Sequence, residues 1–381
     1  MRDFAFYNPV RVVTGEAALE KLTEVSAART VLLVCGGASA RLNGSLERVA
    51  VAVRARGGAV VQYGGVTQCT YDAIVEGVRR VHEYGVDMVV GLGGASAMDT
   101  AKAVAFCAMH ADYDAYLKGE LPQRNDEKLP LVLIPTYPST GSEANGVSDI
   151  MGYAGGIHGV FADYALLYPP FTYSLDARNT AFSTMVLLAQ TGYRYLADEN
   201  PVSRGCAAVS LQAVLDAFDT CVENPKSYEA RATFLWASFL ETSGLLGLSM
   251  EGRWTYSIFS AAGLLRFTLG TVYRENLAMV FPRWLVFAAR HHPEPVCRFA
   301  VEVLGVSAEG DTEAVVRAAY ERTMGVLRRG GLPTTLDAYG IVPTDEEVAV
   351  ATGRVSSKEF SIEEYCALVR ACATEEFPGL E

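Results

Sequence analysis

Histidine is scarce in this chain of 381 residues: the five are His82, His110, His158, His291 and His292, so none stands between 159 and 290. Lysine is missing from a long stretch as well, with none between Lys128 and Lys226. Basic residues are outnumbered, 32 Lys and Arg against 44 Asp and Glu, for a net charge of -12. That balance argues against a nucleic-acid partner, because phosphate binding needs concentrated Lys and Arg. The eight cysteines lack paired zinc spacing, and the separation of Cys366 from Cys372 matches no common metal or redox motif. Reduced, mostly buried thiols in a cytoplasmic protein are expected. The opening Met1-Arg2-Asp3-Phe4 lacks a basic segment followed by an apolar run, so no secretory signal is expected. The most apolar long stretch, Ala232 to Met250, carries Glu241 and several Ser and Thr residues. It reads as a buried helix rather than a membrane span.

What remains is ordinary globular composition, 50% apolar and 20% charged, in a chain too long for one core. The first ~175 residues alternate short β-branched runs with helix-length amphipathic segments, which favours an α/β sheet. Strands are expected at Thr30 to Cys35, Ala59 to Tyr63, Met88 to Gly91 and Leu129 to Pro135, with a helix over residues 70 to 84. From Arg178 onward the pattern is almost entirely helical, with turns at Asn200-Pro201, Gly330-Gly331 and Gly340. The expected organisation is an α/β dinucleotide-binding domain over 1–176 and an all-helical domain over 177–381. A cleft between two such domains is where ligands usually bind.

Three turns carry the chemistry. Gly93-Gly94-Ala95-Ser96-Ala97-Met98-Asp99 follows a predicted strand and opens a predicted helix. Glycines there let the backbone approach a pyrophosphate, and the helix N-terminus supplies free amides and a favourable dipole. Gly36-Gly37-Ala38-Ser39 repeats the design one β-α unit earlier. No acid ends that first strand to hold a ribose diol, and Ser39 with Arg41 would tolerate a 2′-phosphate, so NADP is expected over NAD. Arg41 reads equally well as a solvated surface residue. The third turn, Pro135 to Asn145, gathers hydroxyls, an acid and an amide after a strand, suited to ribose, phosphate or nicotinamide amide and also to a capped helix start.

Taken together, in order and spacing, these segments resemble the iron-containing (group III) alcohol dehydrogenases. Gly93 to Lys102 resembles the family's Gly-Gly-Gly-Ser-x-x-Asp-x-x-Lys diphosphate loop, and Thr136 to Asn145 its Thr-x-x-x-Thr-Gly-Ser-Glu-x-Asn turn. Tyr228-Glu229-Ala230-Arg231-Ala232 with Trp236, and Leu277 to Trp284, resemble the butanol dehydrogenase branch. The resemblance covers essentially the whole chain. It implies the fold of that family, shared with the dehydroquinate synthases: an α/β dinucleotide domain, then an all-α domain. It also implies a homodimer, and cofactor-binding positions at Gly36, Gly37, Ser39, Gly93, Gly94, Ser96, Asp99, Thr136, Thr140, Asn145 and Tyr173. In the family an iron or zinc ion held by one Asp and three His polarises the substrate oxygen during hydride transfer.

At those four ligand positions this sequence departs from the family. The Asp position holds Val186 and the first His position Gln190, and a following glutamate is replaced by Tyr193. The last His falls on Tyr273, followed by Arg274, and the remaining one on Ser257 or Phe259. Valine coordinates no metal, and Gln, Ser and Tyr are poor ligands for divalent iron or zinc, so neither metal is expected at this site. The family's active-site lysine is missing too; the Gly155-Gly156 turn carries His158, a candidate proton donor or a surface-loop residue. Three functions stay open. The first is a metal-independent NADP-linked reductase of small aldehydes or ketones, with Tyr273 as the acid. The second is a non-catalytic nucleotide-binding paralogue in which Tyr273, Arg274 and Tyr193 fill the vacated space. The third is a lyase or cyclisation step on the same fold.

Overall fold

A computed structural model of the chain describes residues 3–37, 39–118, 120–121, 127–152, 156–250, 254–340, 342–355, 357 and 359–380. Ala38 of the first glycine turn and Gly155 of the 155–156 turn lie outside these. The chain forms two compact units: Tyr7–Ser174 with Arg231–Gly244, and Met1–Phe6 with Leu175–Ala230 and Leu245–Glu381.

The first unit is built on six strands, β1 (Arg11–Thr14), β2 (Thr30–Cys35), β3 (Ala59–Tyr63), β4 (Met88–Gly93), β5 (Leu131–Pro135) and β6 (Tyr164–Leu167). They form one sheet in the order β1-β6-β5-β4-β2-β3, every pair parallel. Its helices are α1 (Glu16–Val25), α2 (Ser39–Leu42), α3 (Ser45–Arg54), α4 (Tyr71–Tyr84), α5 (Ala95–Cys107) and α6 (Tyr113–Leu117). Both faces of the sheet are covered, which is why β2 reads as an unbroken apolar run. Val31, Leu33 and Cys35 pack with Ala18, Leu22, Val49 and Val53 of α1 and α3. Leu32 and Val34 pack with Val81, Met98, Ala101 and Val104 of α4 and α5 on the other face.

The second unit is helical: α7 (Ala177–Ala197), α8 (Pro201–Glu223), α10 (Ser257–Leu269), α11 (Tyr273–His291), α12 (Pro293–Glu302), α13 (Thr312–Arg329), α14 (Asp345–Thr352) and α15 (Ile362–Ala371). Asp176 caps α7 by accepting from the Asn179 amide, and Asn200 with Pro201 ends one helix and starts the next. Helix α9 (Tyr228–Thr242) begins in this unit, but from Arg231 onward it belongs to the sheet unit. The helix expected over Ala232 to Met250 therefore stops at Thr242, where Gly244 turns the chain with φ 85°. Among the described residues, α8 is the one helix long and apolar enough to cross a membrane, and 44% of that window is buried in the fold. None of the eight cysteines is joined in a disulfide; Cys206 is exposed, Cys297 half-buried and the other six buried.

Arg283 shows how the helical unit is tied together. Its guanidinium is fully buried and, among the described residues, has no carboxylate partner; it donates instead to the carbonyl oxygens of Met279, Ala371 (3.3 Å each) and Thr334 (2.8 Å). The last turn of α15 exposes such carbonyls, and a cation there is favourable.

Candidate functional site

The register of the sheet brings the three turns together. Cys35 pairs with Leu92, and Gly93 with Pro135, so β2, β4 and β5 end side by side. Beyond them lie Gly36-Gly37, Gly94 and Thr136, and the Thr136 amide donates to the Gly93 carbonyl at 2.9 Å. The strand order also reverses here: β3 lies on one side of β2, and the chain returns to lay β4 on the other. Ligands of open α/β sheets bind outside the carboxyl ends of strands at such a point.

Each turn contributes differently. Gly93 has φ 150°, and a Cβ there would come 3.1 Å from that of Ala97, so the backbone itself requires glycine. Gly94 precedes the first residue of α5 and no side chain caps that helix, which leaves its first amides to an anion. At Gly37 an added Cβ would meet nothing within 4 Å, so packing does not require glycine. A bare position beside open space is what close approach of a ligand needs. Ser39 and Arg41 are exposed on α2. Ser96 and Thr136 are half-buried, as are Thr140 and Tyr173, the latter ending the turn after β6.

Asp99 and Asn145 hold the third turn in place. Lys102 on α5 is fully buried, and its ammonium lies 3.0 Å from the Asp99 carboxylate. It donates to the Ser142 carbonyl at 3.0 Å, to Asn145 Oδ1 at 3.2 Å, and to the Val147 carbonyl. The Ser142 hydroxyl donates to Asp99 Oδ1 at 2.6 Å, and the Asn145 amide to the Gly141 carbonyl at 3.3 Å. Helix α9 clamps the same turn. Gly141, at φ 57°, donates its amide to the Ser238 hydroxyl at 3.2 Å, and a Cβ there would lie 2.2 Å from the Ser238 carbonyl oxygen. Sequence reasoning missed this clamp and the role of Lys102. Arg231, Ser238 and Glu241 interrupt or end the largely apolar run from Ala230 to Leu240, and all three are buried in the fold.

The four positions matching the family's metal ligands lie on α7, α10 and α11 of the helical unit. Val186 is buried at 1% exposure and brings no donor atom. Gln190, one turn further along α7, donates from Nε2 to Tyr273 Oη at 3.0 Å. Ser257 is fully buried, and its hydroxyl accepts from the indole Nε1 of Trp284 at 2.8 Å. The alternative to Ser257, Phe259, packs its ring edge-on against Tyr193 at 4.9 Å, with Tyr256 5.5 Å from Tyr193. The Arg274 guanidinium covers the Phe182 ring at 5.1 Å. Among the described residues no three His, Cys, Asp or Glu side chains converge as a metal would need. An aliphatic residue, an amide, a hydroxyl and a phenol do not make an iron or zinc site. His158, the other candidate proton donor, is exposed in the loop after the Ser148–Ile157 bridge.

A model of the iron-containing alcohol dehydrogenase family matches residues 9–169. The NADH-dependent butanol dehydrogenase A of Clostridium acetobutylicum is 25% identical over 353 residues, 90% of each chain. The NADPH-dependent aldehyde reductase YqhD of Escherichia coli is 25% identical over 354 residues, again 90% of each. Among solved structures, an NADH-dependent butanol dehydrogenase A from Thermotoga maritima superposes with a TM-score of 0.83 at 23% identity, covering 98% of this chain and 99% of that one. The fold expected from the sequence, a parallel α/β domain followed by helices, is therefore the one observed.

Proposed function

We propose that the chain is an oxidoreductase of the iron-containing alcohol dehydrogenase type, whose family model matches residues 9–169, and that it reduces a small aldehyde or ketone with NADPH, without iron or zinc. The observation that carries the proposal is the Gln190–Tyr273 hydrogen bond, which stands at two of the four positions where the family holds its metal. Gly36, Gly37, Gly93 and Gly94 with the first amides of α5 would hold the pyrophosphate, and Thr136, Thr140 and Tyr173 the rest of the dinucleotide. Ser39 and Arg41, exposed on α2, favour the 2′-phosphate, and no acid ends β2 to reject it. The bound nicotinamide supplies the hydride. The Tyr273 phenol supplies the proton to the carbonyl oxygen, in place of Lewis-acid polarisation. Removing one such donor typically costs ~10²–10³ in rate. We further propose a cytoplasmic homodimer.

Calorimetric titration of NADPH and NADH, with elemental analysis of the purified protein, tests this reading. Tighter binding of NADPH and no stoichiometric metal is the expected result. One tightly held metal per chain would overturn the metal-free reading, and binding of neither nucleotide would sink the reductase. NADPH bound but never consumed with any carbonyl would favour the non-catalytic paralogue, for which the burial of Val186 speaks. Product formed without net cofactor change would mark a lyase or cyclase.

A further inference from the structure

We propose that Gln190 is the positioning residue for the Tyr273 phenol, its side-chain N–H fixing the hydroxyl oxygen and stabilising the phenolate formed when the proton leaves. The inference rests on the reductase reading above and names the residue on which that reading depends.

Gln190 reaches Tyr273 across 83 positions of chain, from α7 to the first residue of α11. In this bond the amide donates and the phenol accepts, so the phenol proton is not used up on Gln190. An N–H aimed at the oxygen favours the charged form of the phenol over the neutral one. Tyr273 also begins a 19-residue helix whose N-cap, Val272, offers no side-chain cap. Negative charge on its first turn therefore meets the positive end of the helix dipole. Arg194 lies over the Tyr193 ring and donates to the Gln190 backbone carbonyl, and Arg274 covers Phe182. Glu275 lies two residues on, in the first turn of α11. Tyr273 keeps 38% of its surface exposed, so a substrate can reach it. The other end of the amide, Gln190 Oε1, is shielded from solvent and has no hydrogen-bond partner. An amide selected only to fill space would have both ends satisfied or be replaced by an apolar residue.

The step balances. Hydride from the reduced nicotinamide forms the new C–H bond at the carbonyl carbon, and the C=O π pair moves to oxygen. That oxygen takes the Tyr273 proton, the O–H pair stays on the phenolate, and water reprotonates it. The nicotinamide is the species oxidised and the carbonyl the species reduced.

The test uses the full chain with butanal and NADPH, comparing wild type, Gln190→Leu, Tyr273→Phe and the double variant. Gln190→Leu should lower kcat roughly 100-fold with KM within about twofold, and move the alkaline limb of the pH profile up by about one unit. In the Tyr273→Phe background it should change nothing further, because both variants remove the same device. Equal loss in both backgrounds would overturn the proposal and make Gln190 a packing residue. Phenol-band difference titration of each chain against its Tyr273→Phe partner reads the pair whether or not butanal turns over. An upward shift in Gln190→Leu is expected; an unchanged midpoint overturns the proposal. A shifted midpoint in a protein that reduces no carbonyl would instead count against the reductase reading, leaving the hydrogen bond's effect on the phenol intact.

Discussion

Polar side chains are buried in two places with opposite chemistry. In the sheet unit, Lys102 and Asp99 are charged, and Lys102 is held by Asp99, Asn145 and the Ser142 carbonyl while Asp99 accepts from the Ser142 hydroxyl. In the helical unit, buried Ser257 and Trp284 and the more exposed Gln190 and Tyr273 form two neutral pairs, each joined one donor to one acceptor. The difference teaches what each place is for. Buried charge is tolerated where it fixes backbone, here the turn from Ser142 to Val147, because a low-dielectric surrounding punishes any departure from the matched geometry. The neutral group has coherent partners of its own. Ser257 and Trp284 satisfy each other and Val186 packs without donors, while Gln190 Oε1 stays unpartnered.

The comparison predicts its own largest effect. Lys102→Met removes the cation but keeps its length, stranding Asp99 and the Ser142 carbonyl in the interior. Breaking a buried pair from one side costs ~3–5 kcal/mol. Urea denaturation should show that loss, and NADPH affinity should fall with it as the third turn loosens. A cost below about 1 kcal/mol, the scale of an exposed ion pair, would break the contrast between the two places.

Much of the sheet unit was legible because local patterns suffice there. β-Branched runs followed by glycine mark β2 and β4 nearly to the residue, and the glycine turns after them carry the pattern of a nucleotide site. β1 and β6 went unnoticed because each has only four residues, too few for periodicity to register. The allegiance of Arg231–Gly244 to the sheet unit was invisible, since nothing in linear order announces that a helix packs back across the chain. The family resemblance places Asp99 and Asn145 among the cofactor-binding positions. Their spacing from Lys102, three residues and 43, shows why only the nearer partner could be guessed. Gln190 and Tyr273 were placed by alignment to a family pattern, which says which residue stands where but not that two replacements bond to each other.

A second prediction concerns charge that is buried without a full set of partners. Glu143, in the short turn Ser142–Ala144, is 1% exposed and its Oε1 has no hydrogen-bond partner. Burial pushes its carboxyl up to about 7, with Glu241 adding to the rise and its own backbone amide and Lys102 opposing it. The unfolded chain ionises near 4.5, so between these values the folded state holds the extra proton. Stability is therefore fully present below about pH 4.5, declines as pH rises toward 7, and is flat above; the loss is on the order of 3–4 kcal/mol. Glu143→Gln should remove this slope and be the more stable protein at pH 8. Parallel stability curves for the two proteins from pH 5 to 8 would show that Glu143 is ionised in the fold, and that the sheet unit carries more buried charge than argued above.

The smallest effect belongs to the neutral group. Ser257→Ala leaves the indole N–H of Trp284 without its acceptor at a position that solvent does not reach. An orphaned buried donor costs ~1–3 kcal/mol, and with a neutral group the lower half of that range applies. The loss should be the same at pH 5 and pH 8, because neither partner titrates there. Ser39→Ala, exposed on α2, should stay within about ±0.5 kcal/mol in the same assay, which separates burial from the mere loss of a hydroxyl. If Ser257→Ala costs as much as Lys102→Met, the neutral group is as tightly coupled as the charged one. The positions around Val186 would then be a structural centre that happens to occupy the family's metal site, and Gln190 and Tyr273 would be part of its packing.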